Sequence, residues 1–117
     1  MRLMEDNSCV TVGDECMFSS DIDIFASDTH SILDMSGNIV NLGKFIKIGN
    51  SVWIGKNAKI CKNTIIADNC VVGFSSIVTR QFETPNCVIA GNPAKVVKEN
   101  ITWNRLRPKQ YLESLGN

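Results

Sequence analysis

Ile48-Gly49-Asn50-Ser51-Val52-Trp53-Ile54-Gly55-Lys56-Asn57-Ala58-Lys59-Ile60-Cys61-Lys62-Asn63-Thr64-Ile65-Ile66 repeats itself every six residues. Ile48, Ile54, Ile60 and Ile66 open successive hexapeptides, and Val72 and Val78 continue the series. Four residues after the first five of these stand Val52, Ala58, Thr64, Cys70 and Ser76, all small or β-branched. Directly behind the apolar positions come Gly49, Gly55, Cys61, Ala67, Gly73 and Thr79. Polar pairs fill the gaps: Asn50-Ser51, Lys56-Asn57, Lys62-Asn63 and Asp68-Asn69. Such a period fits neither a helix nor an alternating strand. It fits a coiled ribbon of short parallel strands, a β-helix. One apolar residue per hexapeptide points to the axis, with a small residue at the corner before it. Asn, Asp and Gly tolerate the left-handed backbone angles that corners need. An all-β sandwich would show turns every 8–12 residues or so and no strict period.

The same series runs upstream through Val12, Phe18 and Ile24, with Gly13 behind Val12. It is lost at His30 and Ser36 and is expected to recover at Leu42. Residues of about 31–45 therefore read as a loop protruding from the repeat, with Ser36-Gly37-Asn38 as its turn. Downstream, the repeat is gone after Lys98. The expected organisation is a β-helix domain over 1–98 and a C-terminal tail over 99–117. Within the tail, Ile101–Arg107, Pro108 and then Lys109–Leu115 predict one or two short helical turns. Its apolar face of Trp103, Leu106, Tyr111, Leu112 and Leu115 is expected on a β-helix wall, its own or a neighbour's.

Composition agrees with one all-β domain. The chain has 117 residues, 44% of them hydrophobic, and Ile plus Val number 23 against 11 for Leu plus Ala. Twelve basic residues balance 12 acidic ones, so no global field favours nucleic acid or an anionic membrane. No apolar run approaches the length of a spanning helix, and Glu5 and Asp6 stand where a signal peptide needs apolar residues. A cytoplasmic protein without membrane insertion is expected. Five cysteines, none paired as Cys-x-x-Cys, and a single histidine make a zinc site an unlikely design, so no metal is expected. The thiols read as reduced and mostly buried. The zero net charge hides a split: residues 1–34 carry eight acids and one base, residues 35–117 carry 11 bases and four acids, a formal +7. That excess is either surface composition or the mark of a phosphate-bearing ligand.

Val52-Trp53-Ile54-Gly55-Lys56-Asn57-Ala58 resembles the signature of left-handed parallel β-helix, hexapeptide-repeat acyltransferases. So does the exit motif Ala90-Gly91-Asn92-Pro93-Ala94-Lys95-Val96-Val97. Ser27-Asp28-Thr29-His30-Ser31-Ile32 resembles the family's histidine at the start of a protruding loop. His30 lies 23 residues before Trp53, a spacing similar to that of the maltose, galactoside and capsular-sugar O-acetyltransferase branch. The resemblance covers about Val10 to Trp103. It implies acetyl-CoA as donor, a hydroxyl of a sugar or polysaccharide as acceptor, and a homotrimer with active sites in clefts between neighbouring β-helices. Relatives usually carry more N-terminal sequence. Here Asp6 sits where an inward residue is due, so the first coil is ragged and the chain reads as a fragment or as a shortened member.

Acetyl transfer to a hydroxyl needs a base, and imidazole suits the task near neutral pH. His30, the only histidine, falls where the apolar series breaks and is the expected base. The resemblance implies direct transfer with no acyl-enzyme. It makes a backbone N–H in the Trp53–Lys56 turn, that of Lys56, the oxyanion donor, and has Trp53 line the pocket. Asp28 and Asp34 flank His30, and either is a candidate to orient the ring. The implied donor groove runs past Phe74 and Ser75, then Thr79 and Arg80, with Lys95 and Lys98 near the phosphates. A cysteine nucleophile is disfavoured, since no histidine neighbours the cysteines in sequence. Transfer to an amine or to serine, or an inactive scaffold or fragment, are the alternatives. A carbonic-anhydrase-like β-helix needs three histidine ligands and is set aside.

Overall fold

The computed structural model describes residues 9–26, 28, 30–42 and 45–116. Among these residues twelve strands form three walls of a coiled prism. The first wall holds β1 (Cys9–Val12), β4 (Phe45–Ile48), β7 (Thr64–Ile66) and β10 (Gln81–Phe82). The second holds β2 (Met17–Phe18), β5 (Trp53–Ile54), β8 (Val71–Val72), β11 (Val88–Gly91) and β12 (Ala94–Lys98). The third holds β3 (Asp23–Phe25), β6 (Lys59–Cys61) and β9 (Ile77–Val78). Neighbouring strands pair in parallel, except β11 and β12, which form an antiparallel pair at the exit.

The register follows the repeat. Ile48 stacks on Ile66, Ile54 on Val72 and Ile60 on Val78, so three hexapeptides make one coil. All six are buried, as are Val52, Ala58, Thr64, Cys70 and Ser76 at the corners. Burial of each Ile or Val side chain contributes roughly 1.5–3 kcal/mol. Buried Thr64 is satisfied, its hydroxyl donating to the Val78 carbonyl at 3.2 Å. The second residue of every polar pair turns the chain with a left-handed backbone: Ser51, Asn57, Asn63 and Asn69 have φ between 53° and 62°. Glu15, Asp21 and Ser75 do the same.

Three departures from the expected series appear. Phe82 pairs with Ile66, two residues short of a full coil, and is buried. An extra residue before Asn86 then restores the fit, so Cys87 and Ile89 carry the core column past Val78. Leu42 does not resume the series: it is 71% exposed, and the inward residues are Ile46 and Ile48. Residue 45 lies in β4, so the loop ends before it. The cause is local, because the loop stem is bonded to the next coil, with the Asn63 side chain donating to the Leu42 carbonyl at 3.5 Å. Along the first coil, Val12 is exposed, Phe18 half-buried and Ile24 buried. Asp6 lies outside the described residues.

The loop is a hairpin. Leu33 bridges Ile39 in antiparallel fashion, and Val40 N–H donates to the Ile32 carbonyl at 2.9 Å. Gly37 takes φ +88° at its tip and donates to the Asp34 carbonyl. At the other end of the chain, the tail folds back as a strap along the edge between the first and second walls. Ile101 pairs with Asn86, Trp103 reaches Ser51, and Arg105 reaches Glu15 and Cys16. Four extended residues cover about 13 Å, which matches three coil spacings of about 4.8 Å. The strap leads into α1 (Pro108–Leu115), with proline at its first turn.

Candidate active site

In a three-walled prism, each edge lies opposite one wall. His30 leaves the first coil at the edge where the third wall turns into the first, the edge opposite the second wall. Its N–H donates to the Asp28 carbonyl at 2.8 Å. Asn41, across the loop stem, donates to the His30 carbonyl and to the Asp28 carboxylate, both at 2.9 Å. Its side-chain oxygen accepts from Ile32 N–H at 2.8 Å. The Lys62 ammonium, from the next coil, lies 3.0 Å from the Asp28 carboxylate and donates to the Asn41 carbonyl. Asp28, Asn41 and Lys62 thus clamp the stem, while the His30 side chain is exposed.

These bonds give the two acids loop-holding roles. The Asn41 amide and then Lys62 hold the Asp28 carboxyl below its ordinary value. Asp34 is held low by the N–H groups of Asn38 and Ser36, at 3.0 and 2.8 Å, in the hairpin turn. Asn41 and Lys62 were not singled out by the sequence. Lys62 is one of several polar corner residues, and nothing local marks Asn41 as a partner of Asp28.

Trp53 lies on β5, in the wall opposite His30. The tail strap covers it: the Trp103 ring sits 5.9 Å from it, tilted by 45°. Trp103 is fixed in turn by its indole N–H, which donates to the Ser51 carbonyl at 2.7 Å. The indole N–H of Trp53 is buried, and among the described residues it has no acceptor. Lys56 turns the next edge, between the second and third walls, and among the described residues no carbonyl accepts its backbone N–H. Directly above it stand Phe74, 78% exposed, and Ser75, whose N–H donates to the Lys56 carbonyl at 2.8 Å. Lys95 and Lys98 project from β12 at the end of the second wall, both exposed.

Thr79 and Arg80 lie elsewhere, on the His30 edge one coil above Lys62. The Arg80 guanidinium rests on the Phe82 ring, 5.1 Å from its centre. The expected site residues therefore fall into two groups. Trp53, Lys56, Phe74, Ser75, Lys95 and Lys98 share the second wall and its far edge. His30, Asp28, Thr79 and Arg80 share the opposite edge, and Asp34 caps the hairpin that springs from it. One chain does not bring the groups together.

Cys61, Cys70 and Cys87 offer no activated thiol. Burial pushes the Cys70 and Cys87 thiols up. Burial, and then the Asp28 carboxylate, does the same for Cys61.

Residues 45–80 match the family described as bacterial transferase hexapeptide (six repeats). A polysialic acid O-acetyltransferase of Escherichia coli O1:K1 / APEC is 40% identical over 105 residues, 89% of this chain. The chain belongs to the hexapeptide-repeat acyltransferase family. The solved polysialic acid O-acetyltransferase OatWY is 40% identical with a TM-score of 0.82 over 92% of this chain, and the polysialic-acid-specific acetyltransferase NeuO is 35% identical with 0.86 over 97%. A galactoside acetyltransferase solved with coenzyme A is 33% identical over 80% of this chain, with a TM-score of 0.66. The fold is thus the parallel β-helix expected from the repeat, left-handed as the resemblance implies. The chain spans 34% of the E. coli relative, and 53%, 57% and 46% of the three solved ones in turn. Among the described residues no helix is long and apolar enough to cross a membrane.

Proposed function

We propose that this β-helix is the acetyl-transferring unit of an O-acetyltransferase that moves the acetyl group of acetyl-CoA to a hydroxyl of an acidic polysaccharide, of the polysialic acid kind. The likeness to two polysialic acid O-acetyltransferases supports the acceptor class. The galactoside enzyme solved with coenzyme A supports the donor. The observation that carries the reading is the split of the candidate residues between one wall and the edge opposite it. A threefold ring uses two different surfaces of each protomer at every contact. Docking the second wall of one protomer against the His30 edge of the next gathers both groups in one cleft.

In that cleft the His30 imidazole takes the proton of the acceptor hydroxyl as its oxygen attacks the thioester carbonyl carbon. The Lys56 N–H donates to the oxyanion of the tetrahedral intermediate. The carbon–sulfur bond then breaks, and the imidazolium returns the proton to the departing thiolate. Free CoA and the O-acetylated sugar are the products. Phe74, Ser75, Thr79 and Arg80 line the donor groove, with Lys95 and Lys98 at the phosphates.

The test is thiol release from acetyl-CoA against polysialic acid, maltose and a galactoside. Release with the acidic polymer above both neutral sugars is expected. Release that no sugar stimulates contradicts the reading.

A further inference from the structure

Two adjoining clefts of about 360 and 380 Å³ run along the tail strap and share Thr102, Trp103 and Asn104. The first also takes in Glu15, Asn69 and Arg105; the second takes in Leu106 and Tyr111. Trp103 lines both clefts and is half-buried, and Tyr111 lines the second and is 39% exposed. Such faces suit the apolar side of a sugar ring, while amides and hydroxyls meet its polar rim. Asn104 accepts from Leu106 N–H at 2.9 Å, which leaves its side-chain NH₂ to donate.

The charge of the strap is positive. The Arg105 guanidinium donates to the carbonyls of Cys16 and Glu15, at 2.9 and 3.3 Å, and stacks on Trp103 at 5.9 Å. Those partners are neutral, and among the described residues no carboxylate pairs with it. Arg107 and Lys109 follow it in sequence, and Glu113 is the sole acid from Ile101 to Gly116. Glu15 is the one acid lining the clefts.

We propose that these clefts form a binding site for an acidic polysaccharide, which holds the stretch of the acceptor chain beside the sugar that reacts. This rests on the acceptor class proposed above. Arg105 and Lys109 engage sugar carboxylates, and Trp103 and Tyr111 carry sugar faces. The clefts adjoin the candidate pocket, since Trp103 lies directly on Trp53.

Binding of long polysialic acid is measured by calorimetry on the whole chain, with dextran as the neutral control and without acetyl-CoA. Arg105→Gln and Lys109→Gln are compared with wild type. Lys109 is exposed on α1 beside Pro108, which lines the second cleft, so its variant keeps the fold even if Arg105→Gln loosens the strap. Each should weaken polymer binding by about tenfold, the size of one charge-assisted hydrogen bond. Turnover of a single sialic acid glycoside should stay within about twofold of wild type, because one sugar fills only the reacting position. Unchanged polymer affinity in both variants, or equal binding of dextran, overturns the proposal. Tight polymer binding with no acetylation of any sialic acid acceptor would instead sink the proposed activity and leave the site standing.

Discussion

His30 combines solitude in the sequence with exposure on a clamped stem. His30→Ala should lower turnover by about 10²–10⁴, the usual loss of a general base. Acetyl-CoA affinity, measured by calorimetry, should stay within about threefold, because donor contacts are assigned to other residues. Near-normal turnover contradicts the assignment. Asp28 acts on the stem rather than on the ring. Its carboxyl is held below the ordinary 3.8. A depressed folded value means that its anchoring is complete above the ordinary carboxylate range and is lost as pH falls through the depressed value. The protection of the Ile32 amide, its exchange rate relative to the intrinsic rate at the same pH, should therefore fall on acidification, and Asp28→Asn should remove that fall. The histidine stands out as a candidate in the sequence because a titratable residue interrupts an apolar series. The Asn41–Lys62 clamp could not, because its partners meet only when the hairpin folds back on the next coil.

At the scale of the element, the hexapeptide writes each coil in advance. Inward Ile60 and outward Ile65 are the same residue type with different burial. Ile60→Ala should cost about 2–5 kcal/mol in denaturant unfolding, and Ile65→Ala clearly less. Equal costs would contradict the assigned faces. Gly55 is glycine for space: a Cβ there would lie 2.7 Å from the Phe74 nitrogen and 2.8 Å from the Val72 carbonyl oxygen. Gly55→Ala should cost roughly 1–3 kcal/mol by forcing the coils apart. Gly37 differs, with open space around it but φ of +88°. The strict period carried the reading from Ile48 to Val78 and stopped there. Phe82, Cys87 and Ile89 escaped it because a corner two residues shorter, followed by one a residue longer, breaks the step of six. Leu42 was misread for the converse reason: its spacing fits by chance inside a loop.

For the whole molecule, the charge split and the two-sided site lead to separate tests. Lys95→Glu or Lys98→Glu should raise the KM for acetyl-CoA and leave the acceptor KM nearly unchanged. Salt should weaken donor binding in the wild type and less so in these variants, since exposed charges are screened over about 8 Å at physiological ionic strength. Donor kinetics untouched by both reversals would make the basic excess ordinary surface composition. Assembly is the larger claim. Light scattering should give three times the 12.9 kDa chain mass, and a monomer at micromolar concentration would leave the two groups of residues apart. The most direct measurement is subunit complementation. His30→Ala and Trp53→Ala chains, each inactive alone, are unfolded together, refolded as a mixture and assayed for thiol release. If each site takes its histidine from one protomer and its tryptophan from the next, mixed trimers regain one intact site in three, about a quarter of wild-type activity overall. A mixture as inactive as its parents would contradict the shared site.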